Sequence, residues 1–175
     1  DAYTIENSRM SCENLIHKIN NHFKTAVYKN VKILFNNDIH NDISSDIDKL
    51  ESIICNIILT TVTKILKGTI YINIMNDSKY LYIDIKDNGK GFEEDELTLI
   101  NDIINNKKLN KDILHISANL QISYRLILLL NGTLKIEAVE NMGTKYKICI
   151  PIEQIYKDIA NKLKGNIIVV QKPSK

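Results

Sequence analysis

Three short stretches of the chain combine residue types that could engage a ligand. Asp87-Asn88-Gly89-Lys90-Gly91 puts a carboxylate at the end of an alternating apolar run and two glycines just beyond it. A carboxylate at a buried strand end can accept a hydrogen bond from a ligand's amino group, and leaving such an acceptor unpaired costs ~1–3 kcal/mol, so it discriminates between ligands. The glycines let the backbone come close to a flat ligand and turn sharply. The second stretch is a long apolar helical stripe with Asn56 midway along it, and the third is Gly143-Thr144-Lys145-Tyr146 leading to Ile150-Pro151. Each also has a plain reading. Asp-Asn-Gly is a tight-turn signal, Gly-Thr before a strand is an ordinary turn, and a lone Asn on an apolar helix is more often a satisfied polar group than a ligand. Their order, with the right elements between them, favours a shared site.

Other reactive residue types offer less. Cys12, Cys55 and Cys149 are far apart, odd in number and embedded in apolar periodic segments, which reads as buried free thiols in a reducing compartment. The four histidines, His17, His22, His40 and His115, show no metal-ligand spacing with Cys or acid, so no zinc site is expected. Net charge is +2 and the lysines are scattered among Asp and Glu, which argues against a nucleic-acid surface. No run reaches the ~18 apolar residues of a membrane span. The N-terminus lacks both an initiator Met and a signal pattern. The chain therefore reads as a piece of a longer protein, cytoplasmic by default, with room for a membrane anchor elsewhere in its parent.

The elements that must position these residues follow from periodicity. The 175 residues, 44% apolar and 25% charged, suit one domain with its own core. Leu15, Ile16, Ile19, Phe23 and Val27 predict a helix over 12–29, capped by Ser11. A strand over 31–36 is followed by a polar turn through Asn36-Asn37-Asp38 and Asn41-Asp42. Ser44, Ser45 or Asp46 caps the long helix carrying Asn56, which runs to about Leu66 and ends at Gly68. Strands over 69–75 and 80–86 alternate with period two. An acidic first turn, Glu93 to Glu96, opens a helix to about Asn105, as the helix dipole prefers. Residues 106–116 are polar and read as a loop, and Ser117 caps a helix from Asn119 to Leu130 stopped by Asn131-Gly132. Strands over 133–139 and 144–150 are closed by Pro151; a helix near 153–164 and a strand over 166–170 complete the pattern. The order predicts an α/β (α+β) two-layer sandwich, with a mixed, mostly antiparallel five-stranded sheet and helices on one face. Residues 1–11 read as a linker, 12–151 as the domain and 152–175 as an extension.

In order and spacing, Asn56, Asp87-Asn88-Gly89-Lys90-Gly91 and Gly143-Thr144 resemble the GHKL ATPase superfamily, which includes sensor kinases, gyrase-type ATPases, Hsp90 chaperones and mismatch-repair ATPases. The likeness covers about residues 12–151 and is greatest to the catalytic and ATP-binding domain of two-component histidine kinases. It implies ATP and Mg²⁺ as cofactors. It implies that Asp87 reads the adenine amino group, that Thr144 supports this contact, that Gly89 and Gly91 make room for the purine, and that Asn56 lies beside the phosphates. It further implies a response regulator or a histidine-containing dimerisation domain as partner, and a homodimer formed through an upstream region.

Departures from the family pattern are equally specific. The helix motif normally holds a second Asn, the magnesium ligand, where this chain has Thr60, and a Lys where it has Thr63. Lys64 comes one residue late, about 100° around the helix. This leaves Asn56 as the candidate metal ligand and Thr60 as a shorter neutral substitute at a metal that demands near-ideal octahedral geometry. The second glycine box is replaced by Ser117-Ala118-Asn119-Leu120. The free amides of a helix N-terminus still attract phosphate, and Ser117 can donate, but the close approach glycine permits is lost. No phosphoacceptor motif surrounds His17 or His22, so no residue here is expected to be catalytic and the acceptor is expected outside the fragment. Because phosphoryl transfer depends on positioning and charge neutralisation, two functions of different class follow: a histidine-kinase ATP-binding domain with impaired or absent activity, or a non-catalytic pseudokinase or phosphotransfer-type module that docks a response regulator. An anti-sigma-factor-type protein kinase is a third. The tail Ile167 to Pro173 faintly resembles the first strand of a receiver domain, with Gln171-Lys172 where receivers carry an acidic pair.

Overall fold

The computed structural model describes residues 4–24, 30–39, 42–105, 116–139 and 141–154. Residues 106–115 of the loop expected over 106–116, the continuation of the first helix over 25–29, His40 and His115, and all beyond 154 of the helix expected near 153–164 and the strand over 166–170 lie outside the described residues; at 153–154 the chain is a strand where that helix is expected to begin. The elements are β1 (Ser8–Met10), α1 (Cys12–Lys24), β2 (Val31–Asp38), β3 (Ile43–Ser45), α2 (Ile47–Val62), β4 (Gly68–Asn76), β5 (Tyr80–Asp87), α3 (Glu94–Asn105), α4 (Ala118–Leu129), β6 (Thr133–Val139), β7 (Gly143–Pro151) and β8 (Glu153–Gln154).

Five strands form one sheet in the order β2-β4-β5-β7-β6. Only β2 and β4 run parallel; the other three pairs are antiparallel. The helices cover one side, giving the expected two-layer sandwich with a mixed sheet. Alternation sorts the strands. In β5, Leu81, Ile83, Ile85 and Asp87 are buried while Tyr80 and Lys86 are exposed; Tyr146, Ile148 and Ile150 of β7 face the same core. A period of two thus carries apolar side chains inward and, at the strand's end, a carboxylate with them.

Helix α2 lies deepest, with Leu50, Ile53, Ile54, Ile57 and Ile58 fully buried. Asp46 is its cap: one carboxylate oxygen accepts from the Lys49 amide at 3.1 Å, and the other accepts from the Glu6 amide at 2.9 Å and the Lys49 ammonium at 2.7 Å. Ser123 of α4 donates to the Ile53 carbonyl at 2.9 Å, tying α4 to α2 through a satisfied buried hydroxyl. Ser117 caps α4 by accepting from the Leu120 amide, and left-handed Asn131 (φ 56°) ends the helix.

Three differences from the sequence expectation stand out. Helix α2 stops at Val62 instead of continuing to Leu66: the Lys64 and Ile65 amides reach back three residues to Thr61 and Val62, tightening the last turn. Ile65 is buried, so it continued the apolar pattern from a non-helical position. Gly68 begins β4, its amide donating to the Asn30 carbonyl, and does not terminate the helix. A second sheet, β1-β3-β8, joins residues assigned to the linker, the candidate caps Ser44 and Ser45, and the extension; Met10 and Ile43 are buried in the core by it.

Candidate functional site

Strand β5 delivers Asp87 to the core end of the loop Asn88-Gly89-Lys90-Gly91-Phe92. The side chain is only 4% exposed. Burial pushes its carboxyl above the usual carboxylate value, countered by the amides of Gly89 and Thr144 and by the nearby Lys64 ammonium. The Gly89 amide donates to Oδ1 at 2.7 Å. A carboxylate has about four lone-pair sites, and two amides leave acceptor capacity for a ligand.

The glycines have specific tasks. A Cβ on Gly89 would lie 2.7 Å from Ile65 and 3.0 Å from Asp87 Oδ1. A Cβ on Gly143, at φ +99°, would collide with the Asp87 carbonyl oxygen, so only glycine lets the start of β7 lie this close to the end of β5. Asn88 turns the other way, its Oδ1 accepting from the Thr69 amide at 2.9 Å.

A cavity of about 460 Å³ opens beside this loop, walled by Lys90 to Glu93 on one side, Thr63, Lys64 and Leu66 on the second, and Glu96 and Asn141 on the third. The Asn141 amide donates to the Lys90 carbonyl at 2.7 Å, so the β6–β7 turn braces the wall. Lys64 crosses the opening: its ammonium stands 3.6 Å from the Phe92 ring centre and 3.1 Å from Glu96 Oε2. Phe92 in turn meets Tyr146 edge-on at 6.4 Å. This Lys64–Phe92–Glu96 group escaped the sequence reading, which noted only that Lys64 stands out of step on α2.

The residues singled out in the sequence therefore fall into three places. Asp87, Gly89 and Thr144 are together, with Gly91 on the cavity wall. Thr60 and Ser117 form a second group, their hydroxyl oxygens 3.5 Å apart where α2 passes the start of α4. Asn56 belongs to neither. Its amide nitrogen donates to the Ser52 carbonyl at 2.8 Å, and it lines a different cavity of about 250 Å³ together with His22 and Cys55. Cys12 and Cys55 are buried and Cys149 half-buried, all as free thiols.

A partly apolar cleft on the loop that follows a buried acceptor has room for the base of a nucleotide. The donor set fits magnesium poorly. Thr60 donates its hydroxyl to the Asn56 carbonyl at 3.0 Å, the bond from Asn56 to Ser52 uses Nδ2 and not the metal-binding Oδ1, and neither group brings the carboxylate oxygen that such a hard cation prefers.

Residues 45–154 match the family model described as Histidine kinase-, DNA gyrase B-, and HSP90-like ATPase. The chain belongs to this ATPase family. No curated protein is matched by its sequence. Among solved structures, the histidine kinase AdeS of Acinetobacter baumannii is similar with a TM-score of 0.64 at 15% identity, over 85% of this chain and 68% of that one. A mycobacterial sensor histidine kinase, MprB, gives 0.61 at 16% identity over 87% of this chain and all (100%) of that one. Full-length ShkA in complex with AMPPNP gives 0.69 at 14% identity, and this ATPase-family chain spans about a third (32%) of its length. At these identities the likeness is one of fold. No helix among the described residues is long and apolar enough to cross a membrane.

Proposed function

We propose that the chain is the adenine-nucleotide-binding domain of a two-component signalling protein and that its own phosphoryl transfer is impaired or absent. The reading is carried by Asp87, a buried carboxylate held at the end of β5 by two amides, on the loop whose continuation from Lys90 to Glu93 lines the 460 Å³ cavity. In it, Asp87 accepts the adenine amino group, the Thr144 amide fixes the carboxylate, and Gly89 and Gly91 leave space for the ring. Ser117 and the free amides at the start of α4 face the phosphates, where the helix dipole favours negative charge. Magnesium chemistry would fall to Asn56 and Thr60, both of which are engaged in hydrogen bonds to the backbone of α2. A bound nucleotide would then be held mainly through its base. Kinase-like partners follow from the same reading: a response regulator or a histidine-containing dimerisation domain, met as a cytoplasmic homodimer.

Calorimetric titration with ATP, ADP and GTP, with and without Mg²⁺, tests this. Adenine nucleotides should bind, GTP about 5- to 150-fold more weakly for the ~1–3 kcal/mol of an unpaired buried acceptor, and Mg²⁺ should change affinity little. No heat at millimolar ATP, or unchanged binding in Asp87→Ala, would overturn the assignment.

The place of Asn56 in a cavity separate from the one beside the Asp87 loop also favours the second reading, a domain that keeps the sandwich to dock a response regulator without catalysis. Autophosphorylation of the longer protein, abolished by Asp87→Ala, would sink that alternative. Its absence, with docking intact, would establish it.

A further inference from the structure

The cavity that takes Asn56 away from the nucleotide cleft holds a different set of chemistry. Glu51 and Cys55 are one turn apart on α2 and so share a face. His22, from the second half of α1, meets them there. One ligand atom from each of the three lies within 4.8 Å of the others, and all three line the cavity of about 250 Å³ together with Asp48, Ser52 and Asn56. This is a nitrogen, an oxygen and a sulfur ligand converging from two helices, with the thiol buried, the carboxylate half-buried and the imidazole exposed.

We propose that His22, Glu51 and Cys55 bind a zinc-type divalent transition-metal ion that clamps α1 to α2. A mixed imidazole, thiolate and carboxylate set suits zinc and rejects magnesium and calcium, which take oxygen ligands. Metal–ligand distances of about 2.0–2.3 Å put tetrahedral neighbours roughly 3.3–3.8 Å apart, so the three side chains need close by only about an ångström. The exposed His22 ring is the one free to do so. Three protein ligands leave a fourth position, and the cavity has room for water there at about 30 Å³ per molecule. Lys18 pins one oxygen of Glu51 at 3.3 Å and Asp48 at 2.9 Å, orienting the carboxylate as outer partners do in metal sites. Binding displaces the Cys55 thiol proton to solvent, leaving thiolate on the metal and neutral imidazole beside it. Spacing along the chain concealed the set, because His22 and Cys55 meet only when α1 packs on α2.

The test uses the whole 175-residue chain. Zinc titrated against a chromophoric chelator should bind with one equivalent per chain, and Co²⁺ should give visible tetrahedral bands with a sulfur-to-cobalt charge-transfer band. Cys55→Ser should abolish the charge-transfer band and Cys149→Ser should keep it. His22→Ala should weaken zinc by about a hundredfold or more, beyond the 10–100-fold typical of outer-shell partners. Since His22 is exposed, that variant decides the matter even if Cys55→Ser fails to fold. Failure to compete with the chelator, a band that persists in Cys55→Ser, or unchanged zinc affinity in His22→Ala would each overturn the site. None of these outcomes depends on whether ATP binds.

Discussion

The ammonium of Lys64 stands 3.6 Å over the ring of Phe92 while pairing with Glu96 at 3.1 Å. One residue in the turn just past α2 thereby ties together the loop after β5 and the first turn of α3, across the mouth of the proposed nucleotide cleft. Being partly solvated, the ion pair is a weak strut; the cation–ring contact is the steadier part. Lys64→Ala should cost up to about 1 kcal/mol in urea denaturation, with only the Glu96 share lost at high salt. Glu96→Gln should reproduce that salt-sensitive share alone.

Asp87 offers a pH signature. Its carboxyl is raised above 3.8 by burial, so the folded chain holds this proton more tightly than the unfolded chain does. Stability contributed here is present at low pH and falls as pH rises from the unfolded value through the raised folded one. Asp87→Asn should remove that slope and leave the nucleotide-free protein more stable near neutrality, while adenine binding is lost. Urea midpoints across the acidic range, set beside ATP titration, check both halves.

Asp46 should behave in the opposite sense. Burial would raise its carboxyl, but the Lys49 ammonium and the Glu6 and Lys49 amides outweigh that and hold it below 3.8. Its stabilisation is therefore complete above the unfolded value and lost as pH falls through the lowered folded one. Asp46→Ala should cost about 2 kcal/mol, the upper end for a cap, with the loss largest near neutral pH and vanishing in acid. Thermal melts of both proteins against pH measure it.

Gly143→Ala should be the most damaging small substitution near the cleft. Its φ of +99° strains any side chain, and the new methyl would meet the Asp87 carbonyl. Backbone strain alone is worth ~1–3 kcal/mol, and separating β7 from the end of β5 adds to it. Circular dichroism and the denaturation midpoint should show a loss well beyond that of an exposed control such as Ser78→Ala.

The proposed loss of magnesium handling at the helix motif predicts a route back. Thr60→Asn, with Ala118→Gly to relax the start of α4, should make ATP affinity depend on Mg²⁺ where the parent's does not. Titration of both proteins with and without the metal compares them directly; identical curves would mean that other groups limit the site.

The parts of this fold visible in the sequence are those where one physical pattern runs for several residues. Alternation in β5 and the Asp-Asn-Gly that ends it located Asp87 on the core side, and Ser11, Asp46 and Ser117 were recognisable as caps because a small polar acceptor precedes an apolar stripe. The short strands of the second sheet were hidden. Ile43–Ser45 has a single apolar residue, too few to show a period, and its pairing partners lie far off in sequence. Asn56 was placed on the right helix, yet no local signal announces that its amide turns back to Ser52. The Lys64 clasp and the His22–Glu51–Cys55 group were unreadable for a related reason: each needs a residue, Lys64 or His22, that comes from another element and has no spacing along the chain to the rest.

The alternation of β5 makes one further demand. Because Asp87 shares the inward parity of Leu81, Ile83 and Ile85, the proposed ligand reading and core building are written in the same odd-numbered frame. A single residue inserted in this strand cannot keep both: it either turns three aliphatic side chains to water or swings the carboxylate to the outer face. An insertion of two residues preserves both. Length changes in β5 should therefore be tolerated only in even steps, and the Asp87 carboxylate cannot drift independently of the hydrophobic layer beneath it.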